Sequence, residues 1–429
     1  MSQSRQLGLV SAIALVVASM IGTGVFTTSG FALGDLKSPW IVLAAWAVGG
    51  VLAGLGALSY GALARRIPES GGEYVFLSRT LHPAAGCVAG IISLLVGFSA
   101  PLAAAAFAFG EYTRDWLPGW HPQATGSVLI ILFAAVHGLH VRRGAWVQNA
   151  AVILKVAVIV FFAAMAFPRL NPPAGGPAAE FALAPFAVTL VWVSFSYSGW
   201  NAAIYIGGEV RDPERNLPRA LLLGTAVVML LYLAINAVFV FSAPVSALAG
   251  KLQVGRLAAE ALGGRAWADA VTALVALALL TSISSLVMAG PRVYAQMAKD
   301  GYLSSWFINR AGPPRGAIIL QTALALAMLW SATYDKLLTY IGFTLSLSTA
   351  ATVLGLMRLR LREGKQLPVP GWPWVPGLFL AGVIGTAIFS VARRPLESLA
   401  GLSTIALGLL IWRLRGTIST PNARAKSPG

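Results

Sequence analysis

Apolar runs separated by short polar connectors fill this chain from end to end. A run of about 20 apolar residues spans a bilayer as a helix. Twelve such runs can be drawn, at roughly 7–33, 40–63, 83–110, 124–141, 147–167, 185–207, 219–243, 267–298, 316–331, 336–357, 374–392 and 396–414. The longest need tilt or a short extension beyond the bilayer. The pattern predicts an all-α polytopic membrane protein with twelve transmembrane helices and no separate soluble domain. The segment after Arg415 is short and polar.

Two runs are interrupted by helix-weakening residues. The first break is Ile21-Gly22-Thr23-Gly24, in the first run. The second is Ser196-Tyr197-Ser198-Gly199, in the sixth. Backbone at membrane depth must satisfy its own hydrogen bonds, so a break there is buried in protein or lines a cavity. Paired breaks in the two halves of a chain point to a binding site at mid-membrane. Each break lies in the first helix of a five-helix unit. Five helices per unit place the second unit on the opposite side, which makes an inverted repeat, about 7–167 and 185–357. Two further helices, about 374–414, follow it. No residue-by-residue identity between the halves supports the repeat. It rests on hydropathy and on the paired breaks.

Composition agrees, with 57% hydrophobic and 11% charged residues against about 25% charged in soluble domains. The net charge of +16 invites a nucleic-acid reading, but its distribution removes it. With the N-terminus in the cytoplasm, the inner connectors carry Arg5, Arg65, Arg66, Arg142, Arg143, Arg211, Arg215, Arg219, Arg310, Arg358, Arg360, Arg362, Arg424 and Lys426, among others. The outer ones carry Lys37, Arg114, Arg169, Lys251, Arg256, Arg265, Lys336, Arg393 and Arg394. The inner set is more than twice the outer, which fixes orientation and sets a basic face on anionic lipid. The first run has neither a marked basic n-region nor a cleavage site, and reads as a retained helix. The single cysteine, Cys87, allows no disulfide within the chain.

The chemistry concentrates at the breaks. Opening the helix at Gly22-Thr23-Gly24 exposes amides at the start of a half-helix, where partial positive charge binds a carboxylate. Glycine lets a ligand approach the main chain. The same residues also suit tight helix packing. At the second break, carbonyls freed at a half-helix end suit an ammonium group. Phe195, Tyr197 and Trp200 offer aromatic walls. A zwitterion laid between the breaks meets donors at one end and acceptors at the other, which is the physical case for an α-amino acid.

Lys155 is the ninth residue of the run 147–167, roughly 12 Å from its end at about 1.5 Å per residue. Intramembrane ionisable groups are functional candidates. Three roles fit it: carrying a transported proton, standing where another transporter binds Na⁺, or serving as a fixed structural cation on freed carbonyls. Ser282, Ser284 and Ser285 in the eighth run are polar groups placed to face it. The outer stretch Ala243–Ala266 contains an apolar helix-forming piece, Val254–Leu262, which reads as a connector before it reads as a lid. The inner stretches 65–82 and 208–219 mix turn formers with charges of both signs. They read equally as an ion-paired cytoplasmic gate and as solvated caps. No metal cluster, phosphate loop or Ser/His/Asp set stands out, and His82, His121, His137 and His140 lie at run ends or in loops. The chain reads as a non-enzyme without cofactor.

Several motifs together resemble a known family. They are Ser19-Met20-Ile21-Gly22-Thr23-Gly24-Val25-Phe26, Pro68-Glu69-Ser70-Gly71-Gly72-Glu73-Tyr74, Gly199-Trp200-Asn201 with Glu209 and the stretch 212–219, and Gly290-Pro291-Arg292-Val293-Tyr294. The chain resembles the amino acid–polyamine–organocation superfamily, and within it bacterial relatives of the L-type amino acid transporters. The resemblance covers the first ten runs. It implies the leucine-transporter fold, alternating access, and location in a bacterial inner membrane with both termini cytoplasmic. It places the substrate carboxylate on Gly22–Gly24 and the amine on carbonyls near Phe195 and Ser196, with Phe195 as an aromatic gate. Lys155 matches a fifth-span lysine that replaces sodium in such relatives. Eukaryotic members join a heavy chain through a cysteine between spans three and four. Residues 112–123 contain none, so no disulfide-linked heavy chain is expected. Ser198 departs from the small or apolar residue of many relatives. The reading is sodium-independent amino acid transport, by exchange or proton symport. The alternatives are an amine or polyamine carrier, which the lack of a deep acidic residue disfavours, and an amino acid sensor without flux.

Overall fold

In the computed structural model, residues 7–139, 144–170, 180–308 and 314–415 are described. Arg5, His140, Arg142, Arg143, Arg310, Arg424, Lys426 and the Pro/Gly-rich outer stretch 171–177 lie outside them. The described residues are helical throughout, with one isolated β-bridge, Leu7 to Val210. The helices are α1 (Leu9–Met20), α2 (Gly24–Leu36), α3 (Pro39–Arg66), α4 (Gly72–Thr80), α5 (Pro83–Tyr112), α6 (Pro122–Gly138) and α7 (Gly144–Ala166). Then come α8 (Leu183–Tyr197), α9 (Pro213–Phe241), α10 (Val254–Lys299), α11 (Arg315–Ser331), α12 (Tyr334–Glu363), α13 (Trp374–Arg393) and α14 (Pro395–Arg415).

Seven of these are long and apolar enough to cross a bilayer, and eight if α1 and α2 count as one bent span. Two shorter apolar helices, α6 and α11, add to them. The all-helical, multi-pass character stands. The lateral surface is apolar: Ile153, Phe161 and Leu230 are largely exposed. Apolar exposure on this scale belongs in lipid rather than water.

Local signals explain many of the helix starts. Proline opens α3, α5, α6, α9 and α14, where its missing N–H leaves no bond unmade and its fixed φ suits the first turn. Ser38 Oγ also accepts from the Ile41 amide at 3.4 Å, and His82 Nδ1 accepts from the Ala84 amide at 3.1 Å. Inside α5, residues 93–99 form a π-helical segment. Ser99 Oγ donates to Leu94 O there at 2.7 Å, and Tyr294 Oη of α10 donates to the same carbonyl at 3.1 Å.

Helix α3 packs along α9 and α8 through small residues. A Cβ on Gly50 would lie 2.6 Å from Met229 Cγ, and one on Gly61 would lie 3.0 Å from Pro218 Cβ. Small residues allow this closeness, and van der Waals packing then holds the pair in a medium that supplies no hydrophobic drive between helices. Three buried side chains tie the same layer to α2. Ser29 Oγ donates to Asn236 Oδ1 at 2.6 Å, and Trp46 Nε1 donates to Ser29 Oγ at 2.9 Å.

The stretch between α9 and α10 departs from the connector expectation. Val254–Gly263 is the first part of α10, which bends at Gly264 (φ 72°) and continues to Lys299. Val254, Ala258 and Ala259 are buried, so apolar burial holds this piece as helix. The loop before it lies on α2, with the Gly250 amide donating to Gly30 O at 2.7 Å.

Candidate functional site

The first break is a real interruption. Helix α1 stops at Met20, α2 starts at Gly24, and the two axes differ by 43°. Ile21 has ψ 86°, outside the helical region. Of the amides that open α2, that of Phe26 donates to Thr23 O at 3.1 Å, and those of Gly24 and Val25 have no preceding turn to bond. Gly22 is only partly buried, and a Cβ there would find nothing nearer than Met20 O at 3.9 Å. Thr23 and Gly24 are buried. A Cβ on Gly24 would lie 2.3 Å from Ser196 Oγ and 2.6 Å from Ser196 Cα, so α2 rests directly on α8.

The second break is equally definite. Helix α8 ends at Tyr197, Ser198 is extended (ψ 146°), and Gly199 takes φ 100°. A short 3₁₀ segment, Ala202–Glu209, follows. Gly199 is required twice over. Its φ lies in the left-handed region that side chains avoid, and a Cβ would come within 2.6 Å of Ser19 O.

The two breaks therefore touch, each on the other's helix. Ser196 Oγ donates to Trp192 O at 3.0 Å and lies 2.9 Å from Thr28 Oγ1. Phe195 is 6% exposed, and its carbonyl accepts from the Ser198 amide at 2.9 Å. Tyr197 turns away toward α3, donating from Oη to Trp46 O at 3.1 Å. Trp200 stacks edge-on against Tyr60, with ring centroids 4.7 Å apart. Phe195 thus stays beside the breaks, while Tyr197 and Trp200 pack against α3.

Lys155 reaches the first break from α7. It is 2% exposed, and Nζ donates to Ile21 O at 3.0 Å. Span eight does not deliver its serines as a group. Ser284 Oγ lies 3.0 Å from His137 Nε2 of α6, Ser285 Oγ donates to Thr281 O at 2.7 Å, and Ser282 Oγ donates to Ala278 O at 2.9 Å.

A residue that sequence reasoning missed joins both breaks. Tyr232 of α9 is buried, and its Oη lies 2.6 Å from Met20 O and 3.1 Å from Ser196 O. Its signal was a lone phenol in the leucine-rich stretch 230–233. Thr27 Oγ1 likewise meets Tyr334 Oη of α12 at 2.8 Å. Tyr334 in turn stacks on Phe31 and Phe107 at 5.9 and 6.1 Å between centroids.

The bent first helix, the glycine that rests on the second break and the buried lysine on Ile21 O all lie within a stretch that matches one family. The model of that family, described as amino acid permease, matches residues 7–406. The chain belongs to the amino acid permease family. It is similar to the Asc-type amino acid transporter 1 of Mus musculus, at 27% identity over 96% of this chain and 81% of the relative. The b(0,+)-type amino acid transporter 1 of Homo sapiens is 28% identical over 96% and 88%. The large neutral amino acids transporter small subunit 2 of Rattus norvegicus is 28% identical over 96% and 80%. This permease family lies within the amino acid–polyamine–organocation superfamily. Its members named here are transporters, and this chain is a transporter rather than an enzyme.

Proposed function

We propose that this permease carries amino acids across the membrane by alternating access, without sodium, through a site between the two breaks. The observation that carries the reading is the convergence on Ile21 and Met20. A buried ammonium sits on one carbonyl and a buried phenol on the next. A cation already occupies the place where freed carbonyls would otherwise attract a metal ion.

In this reading the substrate carboxylate takes the amides that open α2, next to the uncrowded Gly22. The amine takes carbonyl oxygens near the end of α8, and Phe195 closes over the side chain. The first five spans and the next five form an inverted repeat within a twelve-span, leucine-transporter-like architecture, with α13 and α14 outside it. Both termini lie in the cytoplasm, as the distribution of basic residues supports. The rat relative is named a small subunit. Here the single cysteine, Cys87, is buried in α5, which supports the absence of a disulfide-linked heavy chain. In this reading Lys155 stands as a fixed cation on Ile21 O, which favours exchange over proton symport.

Counterflow into proteoliposomes tests this directly. Vesicles loaded with each of the twenty amino acids should accumulate the labelled form of at least one, equally well in sodium and in choline buffer. Binding without counterflow would make the protein a sensor. A strict requirement for sodium would remove the role given to Lys155.

A further inference from the structure

The inner end of the protein holds a carboxyl group that the substrate site does not use. Glu73, at the start of α4, is 7% exposed although it lies in a connector between spans. Its Oε1 accepts from Tyr60 Oη of α3 at 2.8 Å and from Asn201 Nδ2, just after the second break, at 3.0 Å. Its Oε2 accepts from Ser348 Oγ of α12. One carboxyl thus joins four separate pieces of the chain.

The piece that carries Asn201 also carries α1. The Leu7 amide donates to Glu209 O at 3.1 Å, and the Arg211 amide donates to Leu7 O at 2.9 Å. Ser70 Oγ accepts from the Gly208 amide at 3.0 Å on the same segment. Releasing Glu73 would therefore remove the side-chain bonds that tie Asn201, and with it the 3₁₀ segment and the start of α1, to α3, α4 and α12, leaving the single Ser70 bond and the Trp200–Tyr60 packing to hold them. These are the elements that close the inner side of the breaks.

We propose that Glu73 latches the cytoplasmic half of the path shut and makes its opening depend on cytoplasmic pH. The proposal rests on the reading that the path runs between the two breaks. Glu73 is a positioning residue: it holds the gate and touches no substrate.

The groups facing the carboxyl are neutral. They are Tyr60, with Thr352 beside it, Tyr205 of the 3₁₀ segment, Asn201 and Ser348. The charged groups nearby are spent elsewhere. Arg79 pairs with Glu69 at the surface, Asp300 accepts from Tyr74, and Arg358 donates to Leu81 O. Burial pushes the Glu73 carboxyl above its ordinary value of 4.5, while the bonds from Ser348, Tyr60 and Asn201 pull the other way. The sign follows. A group that holds its proton more tightly when the gate is closed favours closure below that raised value. Closure weakens as pH rises through it, because a bare charge is then buried among neutral donors. Each unit of difference between the closed and open states changes their ratio about tenfold.

Pulsed distance measurements between spin labels at exposed Val10 on α1 and Leu361 on α12 read the gate without needing flux. The labels replace V10C and L361C in a C87A background, in the full-length protein in nanodiscs. In this otherwise wild-type protein, raising the pH from 5 to 8 should add a longer-distance population. E73Q keeps two acceptances and donates to Ser348, so it should stay at the short distance at every pH. E73A should show the long distance at every pH. S348A and Y60F each remove one donor while leaving Glu73 to titrate. Both should show more of the long population at pH 5 than the parent protein, and they carry the test if the Glu73 variants do not fold.

A pH response in E73Q equal to that of the parent would overturn the latch. So would S348A and Y60F distributions identical to the parent's. Counterflow on the same preparations separates the two readings. Normal pH-dependent distances with no counterflow of any amino acid would overturn transport and leave the latch standing. Counterflow with pH-blind distances would overturn the latch alone.

Discussion

Lys155 Nζ lies 3.0 Å from Ile21 O, at the carbonyl where α1 gives way to the first break. The contact joins residues far apart in sequence and deep in the protein. Its replacement is therefore a direct probe of the break. Lys155→Ala should leave Ile21 O without its donor and lower exchange by about tenfold or more, the usual scale for a lost charged hydrogen bond of about 1.5–3 kcal/mol. Initial rates of counterflow in sodium and in choline check both parts of the idea. Undiminished exchange by the alanine variant would remove Lys155 from the mechanism.

Gly22 and Gly24 should separate function from folding. Gly22 has open space around it and Gly24 does not. Gly22→Ala should express and melt like the parent protein yet lose substrate binding. Gly24→Ala must push Ser196 aside, an overpacking that costs about 1–3 kcal/mol, and should lower the thermal midpoint. Thermal unfolding with and without a transported amino acid distinguishes them. Equal melting of the two variants would contradict the contact between α2 and Ser196.

Tyr232→Phe keeps the ring against Trp46, where the centroids are 5.4 Å apart. It strips Met20 O and Ser196 O of the shared phenol. A buried group left without its partner costs about 1–3 kcal/mol. The thermal midpoint should fall and exchange should slow together, since one hydroxyl serves both breaks. A Phe variant with parental stability and rate would show that the hydroxyl is idle.

Phe195→Ala should weaken binding of large apolar amino acids by roughly thirtyfold, from about 2 kcal/mol for a truncated aromatic anchor. Small amino acids should be affected less. Competition against a labelled substrate across a size series gives the comparison. A uniform loss across the series would mean that Phe195 supports the fold rather than the side chain of the ligand.

Much of this was legible in the sequence, for physical reasons. Gly22, Gly24 and Gly199 announce breaks because glycine weakens a helix wherever it stands. Lys155 announces itself because an ammonium in an apolar run is costly. Its partner Ile21 was not legible, because nothing local links the two. Tyr232 hid in a leucine-rich run where a phenol passes as an ordinary apolar side chain. Tyr197 and Trp200 looked like walls of a pocket, but aromatic composition says nothing of direction, and both pack on α3. Glu73 stood in a stretch of mixed charge. The ion pairs found there are the Arg79–Glu69 and Arg66–Glu363 contacts, while Glu73 itself is buried among neutral donors.

The main-chain bonds at the two ends of the first, bent span have a mechanical meaning. The start of α1 is fastened by Leu7 to the strand of chain around Glu209, and α2 is fastened by Gly30 to the loop at Gly250. The span is therefore two half-helices with separate attachments. A change of angle between them would fall on the non-helical residues 21–23, and no turn of either helix would have to unwind for it.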